Sequence, residues 1–283
     1  MLNAAAVSNN TREILKATAQ ETLAFIPTVL ELRPDAPITG YICLRDRYTP
    51  LSSKFFPNLN ARVEVVDGDS YDVAINLTNA RAKYRDMKPV YVMNLANAHH
   101  PGGGFVRGAT AQEEALCYRS TLYATLKRKH YPLKTSEAIY SPTVVIFREN
   151  MKNNHRMMDL QQPQLLPVVS VVTVAAIRDP ELNKTTNPPT YADPDDREWT
   201  KEKMRVTLRV AVHNKHRSLV LGALGCGAFM NPNQEVANCW VEVLQEQEFR
   251  GWFHHIVFAV LRDRYQGSDN FEVFYKKLNG LRV

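Results

Sequence analysis

Short, almost wholly apolar segments alternate along this chain with segments of helical periodicity, and this alternation limits the possible folds more than any other feature. A strand at Val63–Val66 is followed by a helix at Asp69–Leu77 and by another strand at Val90–Leu95. Strand, helix, strand is the repeat of a mainly parallel sheet, and strands that are apolar throughout need helices on both faces. The sequence therefore predicts an α/β fold with a mixed, mainly parallel sheet flanked by helices on both faces.

The same alternation continues to the end of the chain. Further strands are predicted at Val144–Phe147, Val168–Ile177, Leu219–Leu221 and His255–Leu261, and helices at Ala111–Lys127, Thr200–His213, Gln234–Glu246 and Asn270–Leu278. Near the N-terminus, the spacing of apolar residues predicts an amphipathic helix over Thr11–Ile26, which Pro27 should end or kink. We expect an N-terminal helical accessory segment (1–61) and one α/β domain (62–283).

Composition narrows the classes of partner. The formal net charge of +6 and pI near 9.1 favour anionic partners such as nucleotides, polyphosphates or nucleic acid. Basic clusters at Lys127–Lys129 and Lys201–Arg217 are candidates for tracking a polyanion. There is no run of about 18 apolar residues and no signal-peptide pattern, which predicts an intracellular protein without a membrane span. The four cysteines form no C-x-x-C pair, so neither a metal site nor a cofactor is predicted.

The first of two glycine-rich loops joins a predicted strand to a predicted helix and runs from Asn94 to Phe105. In an open α/β sheet such a loop lies at the carboxyl edge, where ligands bind. Each glycine costs roughly 0.5–1 kcal/mol to order relative to alanine, so Gly102-Gly103-Gly104 within an ordered domain needs a reason. Close approach of backbone N–H groups to an anion or a sugar is one; a disordered loop is the alternative.

The second loop occupies the same kind of position and runs from Leu221 to Pro232, with a helix predicted to follow. Its spacing, G-x-x-G-x-G over Gly222–Gly227, is neither the dinucleotide fingerprint nor a P-loop. It therefore argues against a Rossmann dehydrogenase or an ATPase, yet retains the elements of a phosphate cradle at a helix N-terminus. Cys226 lies inside this loop, where a small buried residue is a simpler interpretation than a nucleophile.

Two acids follow the first loop. The run Thr110-Ala111-Gln112-Glu113 fits a capping box with Thr110 as N-cap and Glu113 at the third helical position. Successive helical residues project about 100° apart, so Glu114 should then point elsewhere, towards the glycine loop. The simpler interpretation of Glu114 is an acid that favours the helix dipole.

The combination of Gly102-Gly103-Gly104, seven residues and Gln112-Glu113-Glu114 resembles the GGG-x(6–8)-QEE signature of the poly(ADP-ribose) glycohydrolases, which have a macrodomain fold. The segments around Asn97–Phe105 and Gly222–Phe229 resemble the microbial-type branch more closely. The N-terminal helix, Val65–Asp69 and Val257–Val260 also fit that branch. The chain departs from it at Met230, where glycine is common.

The resemblance implies roles for individual residues. Glu114 would be the catalytic acid, while Glu113 and Asn97 would hold hydroxyls of the ribose that is attacked. Asp69 would accept a hydrogen bond from the adenine amino group, although Asp67 is an equal candidate. The other residues implied to bind substrate are Gly102, Gly103, Gly104, Phe105 and Gln112 in and after the first loop, and Gly225, Cys226, Gly227, Ala228 and Phe229 around the diphosphate.

The reaction implied is hydrolysis of ribose–ribose O-glycosidic bonds in poly(ADP-ribose) with release of ADP-ribose, reversing ADP-ribosylation such as that of the DNA damage response. Poly(ADP-ribose) or ADP-ribosylated proteins would be the partners, and nucleic acid only if it is ADP-ribosylated. Two alternatives remain open: a hydrolase of single ADP-ribosyl groups on protein or nucleic acid, and a macrodomain that binds ADP-ribose without turnover. Glu114 argues against the second, because a binding module needs no acid there.

Overall fold

The computed structural model describes residues 8–80, 88–262 and 269–283. Its helices are α1 (Asn9–Leu32), α2 (Ser70–Ala80), α3 (Gln112–Arg119), α4 (Leu122–Thr125), α5 (Pro194–His213), α6 (Asn233–Gln245) and α7 (Asn270–Leu278). Its strands are β1 (Tyr41–Leu44), β2 (Arg62–Val66), β3 (Val90–Ala96), β4 (Glu137–Val145), β5 (Val168–Ala175), β6 (Leu182–Asn183), β7 (Thr190–Tyr191), β8 (Ser218–Leu221) and β9 (His255–Ala259).

A seven-stranded sheet in the order β1-β4-β5-β3-β8-β9-β2 forms the centre of the fold. Strands β5, β3, β8, β9 and β2 run parallel, whereas β4 is antiparallel to both β5 and β1. Strands β6 and β7 form a separate two-stranded hairpin. The predicted mixed, mainly parallel sheet is confirmed.

Alternate residues of β3 point into two different cores, which is why the strand is apolar except at Asn94. Tyr91 and Met93 belong to the core covered by α5, α6 and α7, whereas Val90 and Val92 belong to the core covered by α1, α2 and α3. The predicted helices on both faces are therefore confirmed. Because β3 and β8 are parallel neighbours, the two glycine-rich loops that follow them emerge side by side at the carboxyl edge.

Helix α1 is longer than the sequence predicts. It begins at Asn9, with Ser8 as N-cap, and continues through Pro27 to Leu32. Ile26 and Val29, on either side of the proline, are both buried, so packing against the domain stabilises the last turns despite the hydrogen bond that proline cannot donate. The expectation that Pro27 ends the helix is wrong.

The predicted helix over Ala111–Lys127 is divided into α3 and α4. Ser120 between them is extended and forms an isolated bridge with Ile146, and Thr121 N donates to Val145 O. The backbone here pairs with the chain at the end of β4 instead of continuing the helix. Tertiary pairing thus overrides a continuous helical pattern.

Strand β1 was not predicted, and it lies in the expected accessory segment of residues 1–61. It is hydrogen-bonded to β4 along its four residues, from Tyr41↔Tyr140 to Leu44↔Glu137. This segment therefore contributes an edge strand to the central sheet. The domain boundary at residue 61 stays a prediction.

Candidate active site

The first glycine-rich loop leaves β3 at Ala96 and turns back sharply before α3. Gly102 and Gly103 have φ angles of +67° and +58°, in the left-handed region that favours glycine. Gly103 N donates to His100 O, and Phe105 N donates to Gly102 O, 3.0 Å each. These bonds hold the loop as an ordered structure, which rules out the alternative of a disordered loop.

Glu113 and Glu114 tie the two ends of this loop to the start of α3. Asn97 N donates to Glu113 Oε2 at 2.7 Å, and Gly104 N donates to Glu114 Oε1 at 2.6 Å. Both side chains are buried, with exposed fractions of 2% and 6%. The expectation that Glu114 points towards the glycine loop is confirmed.

The capping box is wrong. The N-cap of α3 is Ala111, no side chain caps the helix, and Thr110 is exposed. Glu113 turns inward to the Asn97 amide instead of back to the cap. The sequence pattern matched the motif, but the loop offers this carboxylate a backbone donor that only the tertiary fold brings near it.

The two carboxyl groups lie against the same glycine. A Cβ built on Gly103 would collide with Glu114 Oε1 and lie 3.0 Å from Glu113 Oε2. Burial, and secondarily the nearby Glu114 charge, raises the pKa of Glu113 to about 8, although the Asn97 N–H opposes this shift. Among the described residues, the buried Oε2 atom of Glu114 has no hydrogen-bond partner. Glu113 therefore retains its proton at neutral pH, and Glu114 has one oxygen that is available to a ligand.

Gln112 lies beside the acids but bonds to the protein. Its Oε1 accepts from Leu95 N at 2.9 Å, and its Nε2 donates to Met93 O and Ser70 Oγ at 2.8 and 3.1 Å. Both amide hydrogens are used, so its geometry fits a brace between β3, α2 and α3 and not the predicted ligand contact. Sequence reasoning missed a second support, buried Asn94, whose Nδ2 lies 3.4 Å from Glu113 Oε1. A polar residue inside an apolar strand was the available signal.

Two other predicted residues of this loop differ in their exposure. The Phe105 side chain is 1% exposed and packs against Tyr118 and Tyr123, with ring centroids 5.0 and 5.2 Å away. The ring therefore supports the loop from the core, and a contact of this residue with substrate, which would be made by its backbone, stays a prediction. Asn97 is half-buried, and its Oδ1 accepts from His99 N and His100 N at 2.8 and 3.0 Å.

The second loop follows β8 and is organised by Asn231, a buried residue that sequence reasoning missed. Asn231 Nδ2 donates to Ile177 O at 2.7 Å and to Phe229 O at 3.1 Å, and its Oδ1 accepts from Tyr191 Oη at 2.8 Å. Gly225, at φ +75°, packs so tightly against Asn231 that a side chain could not fit there. The Asn-Pro dipeptide before a helix was the only sequence signal.

Within this loop, Gly227 contrasts with Gly225. A Cβ on Gly227 would meet no protein atom within 4 Å, so its surroundings are open to a ligand. Ala228 is exposed, and the half-buried Phe229 ring lies 5.9 Å from the Arg178 guanidinium. Burial raises the pKa of the Cys226 thiol, which favours the interpretation of a small packing residue over that of a nucleophile.

Met230 occupies a backbone conformation that suits glycine. Its φ is +55°, its side chain is 55% exposed, and its N–H donates to Gly227 O at 3.0 Å. A left-handed conformation costs a non-glycine residue roughly 1–2 kcal/mol. The loop therefore forms with its cradle geometry in spite of the methionine, at some cost in local strain.

Asp69 lies at the start of α2 and is largely committed to the protein. Its Oδ1 accepts from Tyr71 N at 2.8 Å and from the buried Arg119 guanidinium, which also pairs with Asp72 at 2.6 Å. Asp67 Oδ1 accepts from Arg262 N. Both acids line a cavity of about 600 Å³ beside α2, so the geometry leaves the choice between them open, with Asp69 Oδ2 remaining for a ligand.

The described ranges contain no group of three or more His, Cys, Asp or Glu side chains arranged to hold a metal ion. No helix in the same ranges is long and apolar enough to cross a membrane. Whether the chain needs a metal or a cofactor stays a prediction from the sequence.

Comparison with known proteins places this site in a family. Residues 10–149 match the model of the catalytic domain of microbial-type PARG. The chain is similar to the poly(ADP-ribose) glycohydrolase of Thermomonospora curvata, with 27% identity over 94% of this chain and 100% of that one, and a TM-score of 0.78. The same enzyme bound to the inhibitor ADP-HPD gives a TM-score of 0.73 at 27% identity, over 94% and 99% of the two chains.

A third similar structure is the poly(ADP-ribose) glycohydrolase of Deinococcus radiodurans in complex with ADP-ribose. It is 27% identical over 90% of this chain and 98% of that one, with a TM-score of 0.68. A search of curated proteins gave no match. The match to the family model, the extent of these structural similarities and the arrangement of the two acids on the glycine loop together show that the chain belongs to the microbial-type poly(ADP-ribose) glycohydrolase family.

Proposed function

We propose that this protein is a poly(ADP-ribose) glycohydrolase that hydrolyses ribose–ribose O-glycosidic bonds and releases ADP-ribose. The observation that carries the proposal is Glu114: a buried carboxyl group with one oxygen bonded to Gly104 N and the other without a partner among the described residues. A buried polar atom without a partner is costly, and a substrate oxygen would satisfy it. The similar enzymes that bind ADP-ribose or its analogue support the choice of substrate.

Cleavage separates the anomeric carbon of one ribose from a hydroxyl oxygen of its neighbour, through an oxocarbenium-like transition state. The departing oxygen needs a proton. Glu114 is the group we assign to donate it through Oε2, and the same carboxylate then takes a proton from the attacking water. One residue thus serves as acid and base in turn.

Glu113 supports this step by holding a ribose hydroxyl together with Asn97. Glu113 retains its proton below about pH 8, mainly because it is buried. A ribose hydroxyl that donates to Glu113 would favour the charged form of that carboxyl and lower its pKa in the complex.

The second loop is the proposed cradle for the diphosphate, and the open space at Gly227 supports this assignment. Phe229 would press on the ribose beyond it. Asp69 or Asp67 would receive the adenine amino group in the cavity of about 600 Å³ that both acids line. The positive net charge of the chain favours a negatively charged ligand such as a diphosphate.

In the cell, this activity would reverse ADP-ribosylation, including that which follows DNA damage. An intracellular setting fits the four cysteines, all of which are free thiols in the described structure. Substrates would be poly(ADP-ribose) and ADP-ribosylated proteins.

The proposal is tested by incubating the protein with labelled poly(ADP-ribose) and separating the products by size. Free ADP-ribose accumulating with time supports it, and the Glu114→Gln variant is the matched control for contaminating activity. If the protein removes single ADP-ribosyl groups from a modified protein but leaves poly(ADP-ribose) uncleaved, the mono-ADP-ribosyl hydrolase is favoured instead. Tight binding of ADP-ribose without any product would indicate a non-catalytic module.

A further inference from the structure

A second cavity, of about 250 Å³, lies between the first glycine loop and the N-terminal half of α5. Ala98, the residue after Asn97, forms one side of it, and Ala176, against which Gly225 packs, forms another. Thr135, Trp199 and Lys203 also line it. The cavity thus borders the first loop at Ala98 and is next to the second loop through Ala176, and it does not include the acid pair.

Lys203 is the unusual residue of this cavity. It is 5% exposed, and its Nζ donates to Thr135 O at 2.8 Å. An ammonium group has three N–H donors, and within the described ranges no carboxylate lies within 4.0 Å of this one. Burial lowers its pKa to about 8, so the group is still mainly protonated at neutral pH.

Unlike Lys203, neighbouring cationic residues on α5 form ion pairs. Lys201 lies 3.1 Å from Glu242, Arg205 lies 2.8 Å from Glu246, and Arg209 lies 2.7 Å from Glu248. The helix therefore pairs its other basic residues with acids and leaves the most buried lysine without one. A buried charge without a counter-ion is costly, and an anionic ligand in the cavity would offset that cost.

The position of the cavity indicates which phosphate groups of the substrate would bind at Lys203. Asn231 Nδ2 donates to Ile177 O, and Asp179 N donates to Phe229 O, so the second loop is closed against the 177–179 segment. Lys203 and Ile177 line the cavity, but no residue of the second loop does, so Lys203 is not placed to bind a diphosphate in the proposed cradle at Gly227. The remaining phosphates of a polymer are those of the next unit. The Trp199 side chain, 41% exposed, offers a ring on which a base can stack.

We propose that the cavity at Lys203 is a phosphate-binding subsite for the ADP-ribose unit on the leaving side of the scissile bond, with Trp199 stacking on its adenine. The inference rests on the proposed function. Asp196 is the only acid among the residues that line the cavity, and it opposes an anion there.

The test compares two substrates of the parent protein and of Lys203→Met, which keeps the length and apolar stem of the side chain. One substrate is poly(ADP-ribose), and the other is ADP-ribose carrying a small uncharged aryl alcohol at its anomeric carbon. We expect the variant to raise KM for the polymer by roughly 10-fold or more, since a charge-assisted hydrogen bond is lost, with KM for the aryl substrate unchanged. Lys277→Met, which removes an exposed charge from α7, should behave as the parent does.

Asp196→Asn is a second variant. It removes the acid that opposes an anion in the cavity, so KM for the polymer should fall and KM for the aryl substrate should stay unchanged. Inorganic diphosphate, titrated against Trp199 fluorescence, shows whether the cavity takes a free anion. Diphosphate binding that Lys203→Met abolishes, with polymer kinetics unchanged, would overturn the assignment to the leaving unit. Equal polymer KM values for all the variants, together with no diphosphate binding by the parent, would overturn the subsite itself. If the parent protein does not cleave the polymer at all, the proposed function itself is wrong.

Discussion

The Oε1 atom of Glu114 occupies the place where a side chain on Gly103 would begin. Gly103 also has a φ of +58°, which strains any residue with a Cβ. The second glycine of the triplet is therefore required by the position of the Glu114 carboxyl group and by the backbone conformation together.

Two glycine variants separate protein packing from ligand space. Gly103→Ala should lower Tm and reduce polymer hydrolysis, because the methyl group displaces Glu114. Gly227→Ala should keep the parent Tm, since no protein atom lies within 4 Å of the added carbon, yet weaken ADP-ribose binding in calorimetry by filling the proposed cradle. If Gly227→Ala binds ADP-ribose with the parent affinity, the diphosphate does not bind at this loop.

Glu114→Gln should abolish most of the activity while it preserves ADP-ribose binding. The substitution keeps the size of the side chain but removes the proton that the leaving oxygen needs. General acid–base catalysis is worth roughly 10²- to 10⁴-fold, and the loss should be at the upper end because one group serves both steps. Calorimetry and product analysis are the measurements. A variant that binds and hydrolyses as the parent does would mean that Glu114 is not the acid.

Glu113 should make stability depend on pH. Its pKa is raised to about 8 in the folded protein from an ordinary value of 4.5, so between these values the folded state holds a proton that the unfolded state has lost. The free energy of unfolding should therefore fall as pH rises from 4.5 to 8 and level off above. Urea unfolding of Glu113→Gln should lose this dependence and exceed the parent in stability at pH 9. If the free energy of unfolding depends on pH in the same way in both proteins, Glu113 is not the cause of that dependence.

Met230→Gly should leave stability unchanged or raise it by about 1 kcal/mol. Glycine removes the strain of the left-handed conformation, which offsets the greater entropy of the unfolded chain. Little packing is lost, because the side chain is 55% exposed. Thermal unfolding measures this, and a loss of more than about 1 kcal/mol would show that the methionine side chain makes a stabilising contact.

Salt should weaken the binding of long polymer more than that of free ADP-ribose. In the second of the two basic clusters in the sequence, Lys201, Arg205 and Arg209 form ion pairs with acids. In the described chain, Lys127–Lys129 forms no ion pair, and Arg128 donates to His99 O beside the first loop. The clusters therefore differ in what they offer a polyanion.

The double variant Lys127→Gln/Lys129→Gln should reduce the salt slope of polymer binding without changing ADP-ribose affinity. Lys276→Gln/Lys277→Gln, which removes two exposed charges from α7, is the matched control. Equal salt slopes for polymer and ADP-ribose in the parent protein would exclude an extended electrostatic surface.

The sequence alone was enough for the fold class and for the location of the site. Apolar strands such as β3, buried on both faces, and glycines that follow a strand are local patterns whose physical cause lies within a few residues. The direction of the Glu114 side chain could be predicted because helical geometry separates neighbouring side chains by a known angle. Its role as the acid was implied only by the resemblance to the family signature.

Tertiary structure decided what each group contacts. The carboxylate of Glu113 matched a capping box, but the nearby Asn97 amide took it away from the helix end. The Phe105 ring packs into the core, and in the described chain α5 pairs its arginines with acids while leaving Lys203 without one. These outcomes depend on residues far apart in the chain, because burial and hydrogen bonding are properties of the packed molecule and leave no local signal in the sequence.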